Sequence, residues 1–328
     1  MIAAAVIIAF LGYNPLSVYG QMIKGSLGTV YRLRETITKA VPLTVIGLGA
    51  LVCFRMRFIN IGAEGQFYIG AITATGMVFL FGNMPGVILI TVMFLSAFIG
   101  GGLWCAIAAV LKLKLKVNEA LVTLMLNYIA IKITSYLQYG PWKDPNAYGF
   151  PKIATFPEAA RLQQVFGVHI GWLIALVLTI LIYIMLNRTK LGYEIAIIGD
   201  SATTAAYAGI STTSVLLLTV LIGGGLCGVA GMLQASGVEK TLNDQLAGGM
   251  GYTGIIAAFL AKLNPAALVF VAIFFAVVLQ GGAYIQSALQ IPSATTEIVQ
   301  GIILLFVLAS EFFSEYHIII KGKKTNDE

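Results

Sequence analysis

Residues 60–66 read Asn60-Ile61-Gly62-Ala63-Glu64-Gly65-Gln66, with VPLTVIGLGALVCF (41–54) before them and FYIGAITATGMVFLF (67–81) after them. A carboxylate, two carboxamides and two glycines inside apolar sequence would leave side chains and freed backbone groups unsatisfied in lipid. Such a segment survives only where protein buries it or where it lines a watery path. The expectation is a break in a membrane helix beside a transport route.

Composition supports the membrane independently. The chain is 59% hydrophobic and 10% charged, with a mean hydropathy of +0.91, and several apolar runs approach the length of a bilayer span. The net charge of +6 comes from basic residues lying between apolar runs, so it reports topology and gives no argument for a nucleic-acid partner. Cys53, Cys105 and Cys227 lie in apolar runs without CxxC or histidine at ligand spacing. They read as small core residues, with no metal site or cofactor implied.

The chain opens with IAAAVIIAFLG (2–12), too short to cross a hydrocarbon core of about 30 Å. Either it is a truncated first span or the true start lies upstream. It lacks the basic region and cleavage site of a signal peptide. A polar stretch from Asn14 to Lys39 follows, and then apolar segments at 40–54, 66–81, 86–111, 118–138, 170–186, 213–236, 251–261, 265–284 and 295–313. With the first, these make about ten membrane segments in an all-α polytopic protein.

If the segments alternate, Arg55, Arg57, Lys112, Lys114, Lys116, Arg188, Lys190, Lys262 and the lysines of the C-terminal tail fall on one side. That side is expected to be cytoplasmic, although Lys24, Arg32, Arg34 and Lys39 fall on the other. Around a linking span at 170–186, the halves 40–138 and 213–313 start from opposite sides. Each carries a glycine-rich interruption, NIGAEGQ in the first and LAGGMGYTG (246–254) in the second. Paired broken segments in oppositely oriented halves point to an inverted-repeat transporter with its path near the midplane. Gly223, Cys227, Gly231 and Ala235, spaced by four, read instead as a close-packing face.

On the segment 118–138, Thr123, Asn127, Thr134 and Gln138 fall within one arc at 100° per residue. This polar stripe either lines the path or bonds neighbouring helices. Lys132 reads as snorkelling toward the outer end. The connection 187–212 is too long for a simple turn. Asp200 or Ser201 can cap a short helix with Ala202, Ala205, Ala206 and Ala208 on its surface, ended by Gly209. Such a helix suits a groove on a soluble partner, or it rests on its own membrane domain.

The motifs NIGAEGQ after FRMRF, VNEALVTLMLNYIA, GYEIAIIGDSATTAAYAGI and GGMGYTGIIAAFLAKLNP resemble, in order and over nearly the whole chain, permease subunits of bacterial ABC importers. The resemblance is to the ribose and branched-chain amino acid permease superfamily, nearest its nucleoside-type branch. It implies a plasma-membrane complex of two permease subunits, commonly two related chains, on ATP-binding subunits, with an extracytoplasmic lipoprotein delivering substrate. It also implies that the loop from Gly192 to Ile210 holds the coupling helix, making Gly192, Glu194, Gly199, Asp200, Ala205, Ala206 and Gly209 candidate ATPase contacts. No GxxxxGK[ST] phosphate loop occurs in the sequence, so ATP hydrolysis is expected on a partner.

An intramembrane enzyme would need a nucleophile with a base, or metal ligands. The histidines are His169 at a span boundary and His317 in the tail, with no HExxH or GxSxG. A channel could share the glycine breaks but has no need of a partner-docking helix. The reading is therefore an importer permease working by alternating access, its halves rocking about the path. Candidate path residues are Asn60, Glu64, Gln66, Asn118, Glu119, Thr123 and Asn127. Glu64 either lines the path or bonds the freed amides of its own break. The absence of an Arg or Lys cluster among these residues suits a neutral, hydrogen-bonding solute. The resemblance points to nucleosides, with a simple sugar or riboflavin as the alternative.

Overall fold

The computed structural model describes residues 13–288 continuously, with a few isolated positions on either side. Eleven α-helices lie in the continuous range: α1 Pro15–Leu27, α2 Val30–Arg55, α3 Ala63–Phe81, α4 Gly86–Leu115, α5 Glu119–Tyr139, α6 Gly171–Arg188, α7 Lys190–Asp200, α8 Ala202–Tyr207, α9 Thr212–Gln234, α10 Met250–Leu260 and α11 Pro265–Ala288. A π-helical turn, Ala235–Glu239, prolongs α9, and a two-stranded hairpin, β1 Gln164–Val165 with β2 Val168–His169, precedes α6. The expected segments at 2–12 and 295–313 lie outside the continuously described residues.

Of the ten expected segments, eight coincide with helices. Six of these, α2, α4, α5, α6, α9 with its π turn, and α11, are long and apolar enough to cross a membrane. The other two, α3 and α10, are the helices that begin at the glycine-rich breaks. The polar stretch 14–39 departs from the expected connection, because it is largely helical. Asn14 caps α1 by accepting from the amides of Leu16 and Ser17, and Thr29 caps α2 by accepting from Arg32. The charges along it are accommodated at the bundle end: the Arg32 guanidinium sits over the Tyr284 ring and donates to the Lys24 carbonyl at 2.9 Å.

α2 and α9 form the buried centre, whereas the other four long spans are at most 39% buried. They run in opposite directions. The end of α2 meets the α10–α11 turn, where Arg55 donates to the Leu263 carbonyl. The end of α9 meets the opposite loop, where Ser236 donates to the Ala160 carbonyl. Their neighbours follow the same inversion, α2 packing on α10 and α11 and α9 on α3 and α4. This reciprocity is the inverted repeat, and it gathers the short basic connections around Arg55, Lys112 and Lys262 at one end.

The close-packing face expected on α9 is present. A Cβ at Gly223 would meet the backbone of Gly49 in α2, and one at Gly228 the Ala97 carbonyl in α4. Small residues let these backbones touch where lipid offers no hydrophobic drive between helices. Cys53, Cys105 and Cys227 lie buried as free thiols along this seam, and among the described residues no group of side chains could hold a metal ion.

Candidate functional site

The segment after Arg55 leaves the basic end and climbs back into the bundle before α3 starts. Its depth can be read along α5. Thr123 accepts from the Ile61 amide at 3.1 Å, and Asn127 accepts from the Gly65 amide at 2.7 Å. At 1.5 Å per residue, Asn127 lies about 12 Å above the start of α5. The second break re-enters from the opposite end: the amide of Asp244 donates to Gln138 at 2.9 Å, and the chain descends from there to Gly249.

The two breaks meet at Glu64. Its Oε1 accepts from the Gly249 amide at 3.1 Å and its Oε2 from the Gly251 amide at 2.6 Å. These are the orphan donors at the start of α10, so the carboxylate of one half caps the interrupted helix of the other. The bonding expected within Glu64's own break is thus made across the repeat. Gly251 is required by the approach, since a Cβ there would fall 2.5 Å from the Glu64 amide nitrogen. Asn60 and Gln66 satisfy each other, Gln66 Nε2 donating to Asn60 Oδ1 at 2.8 Å and Asn60 Nδ2 to Gln66 Oε1 at 3.1 Å. Asn60 Oδ1 also accepts from the Gly62 amide.

The candidate path residues therefore divide. Asn60, Glu64, Gln66, Thr123 and Asn127 are brought together, but all are buried and engaged with protein groups. The α5 stripe resolves toward bonding with protein groups, mostly of other elements. Asn127 Nδ2 donates to the Ile61 carbonyl at 2.9 Å and Tyr252 Oη at 3.3 Å, Thr134 turns back to Ala130, and Gln138 donates to the Pro151 carbonyl. Asn118 and Glu119 sit apart at the basic end. Asn118 caps α5 through the amides of Ala120 and Leu121, and Glu119 pairs with Lys112 at 2.6 Å. None of these seven side chains presents itself to a solute midway across the bundle in this conformation.

The side of α5 facing away from the stripe carries, beside the Lys132 read as snorkelling, tyrosines that the sequence reading passed over. Tyr128, Lys132, Tyr136 and Tyr139 are exposed there, and Ser135 donates to the Asp244 carboxylate at 3.0 Å. The spacing of these residues was visible in the sequence, but the tyrosines lay among apolar neighbours and did not stand out as the polar stripe did.

At the basic end the connection 187–212 is two helices. Ser201 caps α8 by accepting from the Thr204 amide at 3.2 Å. Among the candidate ATPase contacts, Gly192 packs on the carbonyls of Met185 and Leu186, Gly199 on that of Arg55, and Ala205 is fully buried. Glu194 is mostly covered beside Lys190. These four position the helices. Asp200, Ala206 and Gly209 are exposed, and Gly209 ends α8 with φ +75°. Tyr207, 92% exposed, belongs to the same surface and was not anticipated.

The family described as the permease component of branched-chain amino acid transport systems matches residues 32–308. The glucose ABC transporter permease TsgB13 of Haloferax volcanii is 33% identical, over 97% of this chain and 87% of its own. The guanosine ABC transporter permease NupP of Bacillus subtilis is 29% identical, over 94% and 90%. Among solved structures, PsaBC of Streptococcus pneumoniae in complex with Fab aligns with a TM-score of 0.53 at 13% identity, over 88% of this chain and 95% of that one, a likeness of fold alone. With the match spanning both breaks, the Glu64 clasp and the exposed α8, this chain belongs to that family and is a multi-pass permease subunit of an ABC transporter.

Proposed function

We propose that this chain is one membrane half of an ATP-driven importer in a bacterial plasma membrane, and that the solute is a nucleoside. A second permease subunit of related sequence completes the path, ATP-binding subunits dock on the exposed surface of α8, and an extracytoplasmic lipoprotein delivers the solute. The observation that carries the reading is the pair of breaks clasped at Glu64 inside a chain of the permease family. It sets a polar junction between two oppositely directed, interrupted helices. The division at 40–138, 170–186, 187–212 and 213–313 is the working description of its parts. Asp200, Ala206, Tyr207 and Gly209 are the coupling residues exposed to a partner.

Similarity to the guanosine permease along 94% of the chain supports nucleosides over nucleotides. An added phosphate would bring about −1.5 to −2 charges without a cationic cluster to receive them. A second reading, a simple sugar, is favoured by the 33% identity to the glucose permease. Uptake of labelled guanosine by the assembled complex, competed with unlabelled nucleosides, ribose, glucose, riboflavin and nucleotides, separates them. Competition by nucleosides alone is the expected result. Blockage by glucose with indifference to nucleosides would transfer the assignment to sugars.

A further inference from the structure

The backbone between the π turn of α9 and the start of α10 has neither helix nor strand from Lys240 to Gly249. It runs beside α5 from the level of Gln138, which accepts from the Asp244 amide, to that of Asn127, which meets Glu64's neighbour Gly65. Eleven residues of α5 separate those levels, about 16 Å at the helical rise. Irregular backbone therefore extends through the outer half of the bundle. It is covered only in part: Leu246 and Ala247 are buried, whereas Gln245 and Gly248 are exposed, and Asp244, Gly249 and Tyr252 are half-buried. Gly248 and Gly249 adopt φ +51° and +82°, and a Cβ on Gly249 would meet nothing within 4 Å.

Most of the loop's amides are bonded within the protein, Asp244 to Gln138, Gln245 to Asn243, Ala247 to Tyr68 and Gly249 to Glu64, but the exposed turn at Gln245 and Gly248 presents peptide groups that lipid could not satisfy. Such a turn occurs only where it faces protein or a water-filled space. The surrounding side chains favour water. The Asp244 carboxylate lies beside Ser135, and Tyr252, held by Asn127, lies near the exposed ring of Tyr128.

We infer that the partly exposed loop Asp244–Gly249, with Tyr128 and Tyr252, is the wall against which the solute moves, and that Asp244 sets the preference for hydroxylated solutes. This rests on the permease reading above and deepens it. The tyrosine rings give a sugar or base a flat face to lie on, the carboxylate accepts from hydroxyls, and the exposed peptide groups at Gly248 supply a further donor and acceptor. A single nearby ammonium, Lys132, does not match the charge of a phosphate. The buried set around Glu64 then holds the wall in place and does not touch the solute.

Two measurements on the full assembled complex test this. Gln245→Cys and Gly248→Cys should react with a charged, membrane-impermeant methanethiosulfonate about tenfold faster than Ile180→Cys on the exposed, lipid-type face of α6, and guanosine or glucose should slow the reaction. Labelling needs no transport, so it stands or falls separately from the importer assignment. In uptake, Asp244→Asn should raise KM about tenfold for a hydroxylated solute and erase the difference between that solute and its deoxy analogue. Tyr128→Leu, at an exposed position that leaves folding intact, should raise KM as well. Cysteines at 245 and 248 as inert as that at 180, or unchanged KM and selectivity in Tyr128→Leu and Asp244→Asn, would overturn the inference. Absence of uptake by the unsubstituted complex for every solute would count against the importer reading alone.

Discussion

Glu64 Oε2 receives the amide of Gly251 at 2.6 Å, joining two residues 187 positions apart at the point where both halves of the chain are interrupted. The contact ties the first turn of α3 to the first turn of α10. Replacing the carboxylate by a carboxamide leaves one acceptor for two amides and turns a donor group toward the other. Glu64→Gln should therefore lose about 1.5–3 kcal/mol, the range for hydrogen bonds to a charged group, and uptake should fall with it. Gly251→Ala should reproduce the defect by pushing a methyl into the same carboxylate. Thermal unfolding in detergent decides: wild-type melting of both variants would mean the clasp contributes nothing to the fold.

Coupling to an ATPase is predicted to depend on one face of α8. Ala206 is exposed and Ala205 fully buried. Ala206→Arg should abolish co-purification of the ATP-binding subunit while membrane insertion and melting stay normal. Ala205→Arg should instead destabilise the permease itself, because an unpaired charge has nowhere to go beneath the helix. Normal ATPase association by Ala206→Arg would place the docking surface elsewhere.

Topology can be read with single cysteines, since the native thiols are all buried. Ser201→Cys should be labelled only from the cytoplasm and Asn146→Cys only from outside. The basic connections at one end set that orientation, and the reverse labelling would invert it.

His169 supplies a pH dependence. It sits in the hairpin before α6, outside the spans, 3% exposed and with neither ring nitrogen hydrogen-bonded to the protein. Burial pushes its pKa from 6.5 down to about 4. Below pH 6.5 the unfolded chain takes up a proton that the folded one refuses, so stability falls as pH drops toward about 4 and levels off beneath it. The loss is bounded at about 3 kcal/mol by the size of the shift. His169→Leu should flatten melting temperature over that window. An equally steep decline in the variant would assign the acid sensitivity to other groups.

Much of the membrane architecture was legible because apolar runs and their interruptions are local properties. NIGAEGQ declared itself by being polar where its neighbours were not. That Glu64 reaches the other break was not legible, because no periodicity encodes a partner 187 residues away. The stripe Thr123, Asn127, Thr134 and Gln138 was found by its angle, but an angle defines a face without saying whether water or protein lies against it. Here it is protein, and the solvent-compatible surface is the irregular chain around Asp244, of which only the glycines of 246–254 stood out in the sequence. Asn14 and Thr29 were sufficient signals for helices in 14–39, yet the charges there suggested a loop. Arg32 is accommodated by an aromatic ring from α11 that only the fold brings near.

The glycine seam of α9 has a mechanical corollary. Because Gly223 and Gly228 bring main chain against main chain, with only the small thiols of Cys53 and Cys227 beside the Gly49–Gly223 contact, little side chain lies between those surfaces to re-pack as one helix slides on another. A hinge between the two repeats would have to pry apart this backbone-to-backbone contact. Rocking of the repeats inside the chain is thus the less economical motion, and the seam makes each permease subunit a stiff lever. Access would alternate by the tilt of one whole lever against its counterpart, with the fulcrum at the boundary between subunits.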